Sequence, residues 1–421
     1  MSGRPFQANR GARAAAAVFT AALTCAPSRA DIDGIHGRLE LQDIAAFARG
    51  DSLDAALGAQ NRNDIAGNLR LTWEPKWDRW SLSFHYLAAA QYGDSVPLVR
   101  DETGLLPMPA PTWFNLTDTF VDHRRLTALH TIDRLAVGYT TPDYVVRIGR
   151  QALTWGSGLV FRPMDLFDPF SPTAIDTEYK PGTDMVYMQF LFEDGSDLQV
   201  IAVPRPARSG AMPSSNASSF AIHYHATFFG HQTTLLLARD HGDWVGGLGV
   251  NGALGGATWN LELVPTFVDH GTTRISALAN VSDAVTLFDR NATIFAEYFH
   301  NGFGASKSDF ALATLPFDLL DRLGRGQVFN TRQNYIAAGM TLEVNPLFTI
   351  APTVIAGLDD ASAYAIFAAT YSLSDNLTLV AGAQAPIGPS DTEFGGMPLI
   401  LGGTTVLASP AQLYIQLRQY F

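Results

Sequence analysis

The chain has 421 residues, a formal net charge of −12 at pH 7, 47% hydrophobic residues and only 16% charged residues. Its acidity argues against a nucleic-acid partner, because phosphate binding needs clustered lysine and arginine. After residue 30 there is no apolar run of about 18 residues, which excludes helical membrane spans. The apolar residues are therefore dispersed, and dispersed alternation is typical of transmembrane β-strands.

Residues 1–30 are predicted to be a secretory signal that is removed from the mature protein. Arginines open it, residues 14–23 supply a short apolar core, and Ser28-Arg29-Ala30 provides small residues at the cleavage positions. Residues 31–421 then form one mature domain. Cys25 is the only cysteine, so this domain has no thiol for redox chemistry or zinc binding. The alternative is a lipoprotein anchored through Cys25, but the residues before it match that signal poorly.

The mature chain alternates apolar and polar residues over strand-length segments. In 80–91 the even-numbered positions are apolar, and the odd-numbered positions include Ser81 and His85. This period of two predicts a membrane-spanning strand with lipid on one face. Segments 220–228 and 274–282 repeat the pattern.

Turn chemistry divides the chain into about 18 strands, with 16 as the alternative count, because bacterial barrels have an even number. Tight turns are predicted near 74–77, 141–143, 193–196, 230–231, 255–256, 288–291, 345–346 and 374–376. Connections on the other side are predicted near 48–63, 92–122, 155–182, 204–216, 240–243, 268–272, 302–328, 359–361 and 387–408. With both termini periplasmic, this pattern predicts an all-β protein. It is a closed antiparallel transmembrane barrel with short periplasmic turns and long extracellular loops.

Two segments depart from simple alternation. The apolar parity of 124–139 changes midway, which predicts a β-bulge. Residues 316–325 have helical spacing, with leucines on one side. We expect a short helix there that lies on the rim rather than dipping into the barrel.

Residues 147–184 carry the richest chemistry, because aromatic residues and prolines are interleaved with charges. A disordered surface loop has no need of so many large apolar groups. We interpret the loop after Trp155 as a constriction folded into or over the lumen, where opposed charges set selectivity. The alternative is an extracellular loop packed on its own rim. The candidate selectivity residues are Arg147, Arg150, Gln151, Trp155, Arg162, Asp165, Asp168, Asp176, Glu178 and Lys180.

Arg150 is the difficult member of this set. Parity places Arg147 and Gln151 on one face and Arg150 with Ile148 on the other. An arginine facing lipid near mid-membrane costs about 2–4 kcal/mol. Either Gly149 forms a bulge that returns Arg150 to the lumen, or Arg150 lies at the level of the lipid headgroups.

This stretch resembles a group of bacterial porin-like outer-membrane proteins. The resemblance rests on Gly149-Arg150-Gln151, Trp155-Gly156, Asp168-Pro169 and the Glu178 to Asp184 segment, about a tenth of the chain. More distantly, the stretch is similar to alginate-export barrels, which have 18 strands and a comparable strand. The group usually has Asn-Pro where this chain has Asp168-Pro169. The resemblance implies a barrel in the outer membrane of a Gram-negative bacterium and says little about the substrate.

The last strand, 412–421, ends on an aromatic residue. Leu413, Ile415 and Phe421 share one face, while Gln416 and Arg418 lie on the other. An aromatic end with alternating apolar residues upstream resembles the signal that the bacterial outer-membrane assembly machinery reads. We therefore predict that Phe421 closes the barrel and that this machinery is a partner.

The function that these features favour is a porin-like channel for passive passage of small hydrophilic solutes. Alternatives are a polymer exporter with periplasmic partners, a structural or adhesive barrel with a plugged lumen, and a barrel enzyme acting on lipid. His223 and His225 share an inward face, which would suit a metal, but a polar lining is the commoner explanation. We predict no enzyme activity and no cofactor, with outer-membrane lipid and lipopolysaccharide as surroundings. The oligomeric state stays open.

Overall fold

The computed structural model describes residues 34–101, 111–269, 271–306 and 310–421. The predicted signal at 1–30, with Cys25, lies outside these residues. Within them, eighteen long strands form one antiparallel sheet that closes on itself, because β1 pairs with both β2 and β18. The predicted fold class is confirmed. The strands are β1 Ile35–Phe47, β2 Asn61–Trp73, β3 Trp80–Gly93, β4 Leu126–Thr140, β5 Tyr144–Gln151, β6 Thr183–Leu191, β7 Asp197–Val203, β8 Ser219–Phe228, β9 His231–Asp240, β10 Asp243–Leu254, β11 Ala257–Phe267, β12 Thr273–Leu287, β13 Arg290–His300, β14 Asn334–Asn345, β15 Phe348–Gly357, β16 Ser362–Ser374, β17 Leu377–Ile387 and β18 Ala411–Tyr420.

The connections divide between the two ends of the barrel. Eight short turns lie at one end, which we call the short-turn end, and nine connections lie at the other, the long-loop end. Each falls where turn chemistry predicts it. The alternation follows from antiparallel pairing, in which a tight turn returns each strand beside its neighbour.

The final strand shows how residue parity sets the two faces of the sheet. Gln416 is completely buried inside the barrel, whereas Leu413 and Ile415 are about half exposed on its outer face. Phe421 exchanges two backbone hydrogen bonds with Gly37, at 2.7 and 3.0 Å. A side chain at Gly37 would collide with the Phe421 ring, so this glycine lets the last residue seal the barrel.

The bulge predicted in 124–139 lies at Asp133. The β3–β4 ladder pairs His85 with Arg134 but Tyr86 with Ile132, which leaves Asp133 as the extra residue. An extra residue reverses which side chains face inward. It turns Arg134 toward the interior, as the change of apolar parity indicates.

The wall is uneven at β5 to β7. These strands have 8, 9 and 7 residues, against 14 and 15 in β3 and β4. β5 pairs only with the half of β4 from Leu135 onward. A further strand, Thr117–His123, pairs with the other half of β4. It lies in the connection predicted at 92–122 and was not foreseen, because its sequence is short and polar.

The remaining elements are small and lie in the connections. None of the helices in the described ranges is long and apolar enough to cross a membrane. The helix predicted at 316–325 is present and packs with other long-loop segments, since Leu319 is completely buried among Phe303, Leu315 and Met397. The small elements are α1 Leu53–Ala56, α2 Ser95–Asp101, the 3₁₀ turn Leu312–Thr314, α3 Phe317–Gly324, and the short strands Lys76–Trp77, Met397–Pro398 and Val406–Leu407.

Candidate functional site

The connection between β5 and β6, residues 152–182, folds into the barrel, and we call it the inward loop. Trp155, Met164 and Phe167 on this loop are almost completely buried. They pack against Tyr187 and Ile201, whose side chains point inward from β6 and β7. The alternative of a loop packed only on the rim is therefore not the arrangement observed.

A second contact reaches a different part of the wall. Phe161 stacks on Phe299 of β13, with ring centroids 4.6 Å apart, and lies 5.6 Å from the ring of Tyr335 on β14. Both wall residues belong to a buried cluster separate from the one around Trp155. The inward loop thus spans the lumen between two regions of the wall.

Two inward-facing glutamates hold the first part of the loop. Glu297 accepts backbone hydrogen bonds from Leu159, Val160 and Phe161 at 2.6, 2.9 and 2.7 Å. Glu262 accepts the backbone N–H and the hydroxyl of Ser157. Bonds to a charged acceptor are shorter and stronger than neutral ones. Sequence reasoning missed both glutamates. The sequence feature that could have identified them is a carboxylate at an inward-facing position in the middle of a strand.

A buried ion pair holds the middle of the loop to its end. Lys180 Nζ lies 2.7 Å from both carboxylate oxygens of Asp165 and also donates to the carbonyl of Leu153. Burial raises the pKa of Asp165 to about 6 despite this ammonium group. Burial also lowers the pKa of Lys180. The pair stays hydrogen-bonded because its two members compensate each other's loss of hydration.

The end of the inward loop meets a basic region of the wall. Arg38 donates to Asp176 at 2.8 Å and to Glu178 at 2.6 Å. Arg418 lies 3.7 and 3.8 Å from the same carboxylates. Burial tends to raise the pKa of Asp176, but the hydrogen bond and charge of Arg38 outweigh it and lower that pKa. Asp176 is therefore ionised at neutral pH.

Five arginines line one side of the interior on strands β18, β1, β2, β4 and β5. They are Arg418, Arg38, Arg70, Arg134 and Arg147. Tyr179 of the inward loop packs against this row, with the guanidinium carbons of Arg38 and Arg70 at 4.9 and 4.3 Å from its ring centroid. Acidic groups lie beside the row, namely Glu40, Asp133, Asp176 and Glu178. The result is a strip of wall with opposed charges.

The predicted residues nearest the strand ends form hydrogen bonds and a ring contact with the wall. Gln151 is buried and donates to the backbone carbonyl of Arg147. Trp155 donates to Gln199 at 2.9 Å and stacks on His223 with centroids 4.8 Å apart. Asp168 accepts a bond from the hydroxyl of Thr183. These contacts fix where the inward loop leaves and rejoins the wall.

Two basic candidates have no carboxylate partner within the described ranges. Arg147 faces the interior and lies over the ring of Tyr187, at 4.4 Å from its centroid. Arg162 lies 5.7 Å from the ring centroid of Phe170. It lines a cavity between the inward loop and α3, together with Arg322. Both side chains are partly exposed.

Arg150 stands apart from the other candidates. The ladders on both sides of β5 keep their register through Gly149, so Arg150 stays on the outer face of the sheet. It is nevertheless only 6% exposed. Its guanidinium forms a two-pronged ion pair with Asp184 across the β5–β6 ladder, at 2.8 and 3.0 Å. Backbone of the preceding loop at Phe114 covers this pair, an arrangement that neither sequence interpretation foresaw.

The structure therefore separates the ten candidates into groups. Asp165 and Lys180 meet each other, and Asp176 and Glu178 meet the arginine row to which Arg147 belongs. Gln151, Trp155 and Asp168 anchor the ends of the inward loop. Arg162 faces the cavity near α3, and Arg150 lies outside the lumen.

No protein-family model matches the chain, and no curated protein matches it in sequence. Solved porins share its fold. A BenF-like porin from Pseudomonas fluorescens Pf-5 matches with a TM-score of 0.51 at 10% identity, over 92% of this chain and 99% of that chain. Acinetobacter baumannii OccAB1 matches with a TM-score of 0.51 at 8% identity, over 93% and 97%. Pseudomonas aeruginosa OccK5 (OpdH) matches with a TM-score of 0.51 at 8% identity, over 92% and 98%.

At these identities the likeness shows a shared porin-type barrel and carries no residue roles. The predicted resemblance of 147–184 to alginate-export barrels stays a prediction.

Proposed function

We propose that this protein is a porin-like channel in the outer membrane of a Gram-negative bacterium, through which small hydrophilic solutes pass passively. The observation that carries the proposal is the inward loop, which spans the lumen of a closed 18-strand barrel. Barrels of this size leave a water-filled lumen that folded-in loops narrow. The likeness to solved porins supports the same reading.

The charges beside the arginine row give that side of the lumen a mild preference for anions. The arginine row contributes five positive charges, and the four neighbouring carboxylates offset most of them. Arg147 of this row has no carboxylate partner among the described residues, and Arg162 of the inward loop adds one further unpaired cation. Rings and rows of charge next to a narrow passage favour solutes of opposite charge. We therefore propose small anions and neutral polar solutes as cargo.

The alternatives explain the interior less well. A polymer exporter for an acidic chain calls for a lumen dominated by arginine and lysine, yet Glu40, Asp133, Asp176 and Glu178 lie beside the arginine row. A structural or adhesive barrel with a plugged lumen would not require unpaired arginines on its inner surface, such as Arg147 and Arg162. A barrel enzyme needs a catalytic pair, whereas His223 is used in stacking on Trp155.

Planar-bilayer recording tests the proposal. The purified protein is expected to give stable single-channel steps in potassium chloride, with a reversal potential in a salt gradient that indicates anion preference. Replacing the two loop carboxylates, Asp176→Asn with Glu178→Gln, exposes the arginine row and shifts the reversal potential further toward anions. The matched control is Asp194→Asn, which removes a carboxylate from the exposed β6–β7 turn and leaves the reversal potential unchanged. Folded protein without conductance would overturn the proposal.

A further inference from the structure

Strands β5 and β7, on either side of the nine-residue β6, are too short to carry the wall across a membrane on the long-loop side. A transmembrane strand needs about 9–11 residues, whereas β5 has 8 and β7 has 7. On the long-loop side of these strands the wall is completed by the strand Thr117–His123 and the segment 111–116 before it. Segment 111–116 has no strand pairing in the described chain and is joined to the wall by individual hydrogen bonds at Phe114 and Leu116.

An apolar cavity of about 340 Å³ opens on the outer face at this point. Leu135, Ile148 and Val186 line it, and each side chain is 41–56% exposed on the outer face of the barrel. The proposed outer-membrane location places that face in lipid, so the natural occupant of the cavity is an alkyl chain. Burial of an alkyl chain here removes no polar group from water.

A smaller cavity of about 50 Å³ lies on the inner side of the same segment. Its lining is polar and includes Asp168 of the inward loop and Arg205 and His241 of the long-loop end. Trp113, Asp184 and Pro204 line both this cavity and the outer one. In the described part of the chain, these three side chains form one layer that separates the polar inner cavity from the apolar outer cavity.

The ion pair of Arg150 and Asp184 fastens that layer. Asp184 accepts the backbone N–H of Phe114 at 3.0 Å, and Arg150 donates to the backbone carbonyl of the same residue. The pair therefore binds both backbone polar groups of Phe114, its N–H and its C=O. Two charged residues on the lipid face of a barrel carry a cost, and covering them with this loop offsets it. The Trp113 and Phe114 rings, stacked at 4.8 Å, remain exposed outside.

Segment 111–116 and the layer of side chains beside it are called the seam below. We propose that this seam is a lateral portal between the lumen and the outer leaflet, closed by Trp113 and Phe114. It passes amphipathic molecules with a single alkyl chain and an uncharged polar head. The alkyl chain enters the outer cavity, and the head reaches the polar inner cavity. This portal rests on the proposed outer-membrane location, and it is separate from the axial route for hydrophilic solutes.

Photolabelling in lipid vesicles tests the portal with two decyl glucoside probes. One carries a diazirine in its chain, which reports the outer cavity, and the other carries it on the head, which reports the inner cavity. Mass spectrometry maps the labelled residues. In the wild type we expect labelling at Ile148 and Val186 outside and at Thr183 or His241 inside. Trp113→Ala with Phe114→Ala opens the seam and raises the inner labelling roughly tenfold. Val186→Trp fills the outer cavity and lowers the inner labelling roughly tenfold.

The matched control is Val354→Trp, which enlarges a valine with similar exposure on the outer face of β15, away from the seam. It is expected to leave the inner labelling unchanged. Inner labelling that persists in Val186→Trp would show that the probe arrives along the axis and would overturn the portal. Absence of inner labelling in the Trp113→Ala, Phe114→Ala variant would also overturn it. Conductance in potassium chloride, measured for the same variants, reports the axial channel separately.

Discussion

Glu297 is the residue whose replacement most simply tests whether the inward loop is held by the wall. Its carboxylate accepts bonds from the backbone N–H groups of Leu159, Val160 and Phe161 and from the side-chain amide of Asn280. In Glu297→Gln the amide oxygen keeps two of these four bonds, and the new NH₂ group faces the other two donors. Bonds to a charged group contribute about 1.5–3 kcal/mol each. We therefore expect docking of the loop to weaken by about 3 kcal/mol.

Hydrogen exchange measures this change at the affected amides. A loss of about 3 kcal/mol corresponds to roughly 100-fold less protection of residues 159–161. Protection of the flanking strand amides in β13 is expected to stay as in the wild type. The control is Glu343→Gln on β14, an exposed glutamate that accepts one side-chain bond from Asn291. Equal protection of 159–161 in the wild type and in Glu297→Gln would refute the carboxylate anchor.

The buried pair and the last residue give further predictions. Because burial raises the pKa of Asp165 to about 6 from 3.8, its contribution to stability is present below the unfolded value and is lost as pH rises through about 6. Unfolding with urea in lipid vesicles measures this effect as the free energy of unfolding of the wild type minus that of Asp165→Asn. This difference should fall by about 1.4 kcal/mol per pH unit from pH 4 to 6. A difference that does not change with pH would contradict the prediction. Deletion of Phe421 removes two backbone bonds to Gly37, about 1 kcal/mol each. If the last strand is an assembly signal, less heat-modifiable barrel should reach the outer membrane, whereas wild-type levels would remove the proposed role.

Features set by neighbouring residues could be predicted from the sequence. Alternation with period two placed the strands, and glycine, proline and asparagine placed the turns, because both depend on a few adjacent residues. The parity change in 124–139 predicted a bulge, and the structure places it at Asp133. The inward face of Gln416 followed from the same rule.

Features set by contacts between distant residues could not be predicted in this way. Glu297 meets Phe161 across 136 positions of sequence, and Arg38 meets Glu178 across 140. Arg150 shows the limit most clearly. The alternation of residues correctly placed Arg150 on the outer face with Ile148. The loop that covers Arg150 belongs to a connection that contains the strand Thr117–His123, which the sequence did not predict.

The central claim is that the inward loop forms the constriction of a passive channel. Single-channel conductance of a variant in which residues 157–179 are replaced by a short glycine–serine linker tests it most directly. The control is a shortening of 207–216, the mainly exposed part of the loop between β7 and β8, which leaves Pro204 and Arg205 in place. We predict that the first variant conducts several-fold more than the wild type and discriminates less between ions, while the control conducts as the wild type does. Equal conductance and equal ion preference in both variants would contradict the claim.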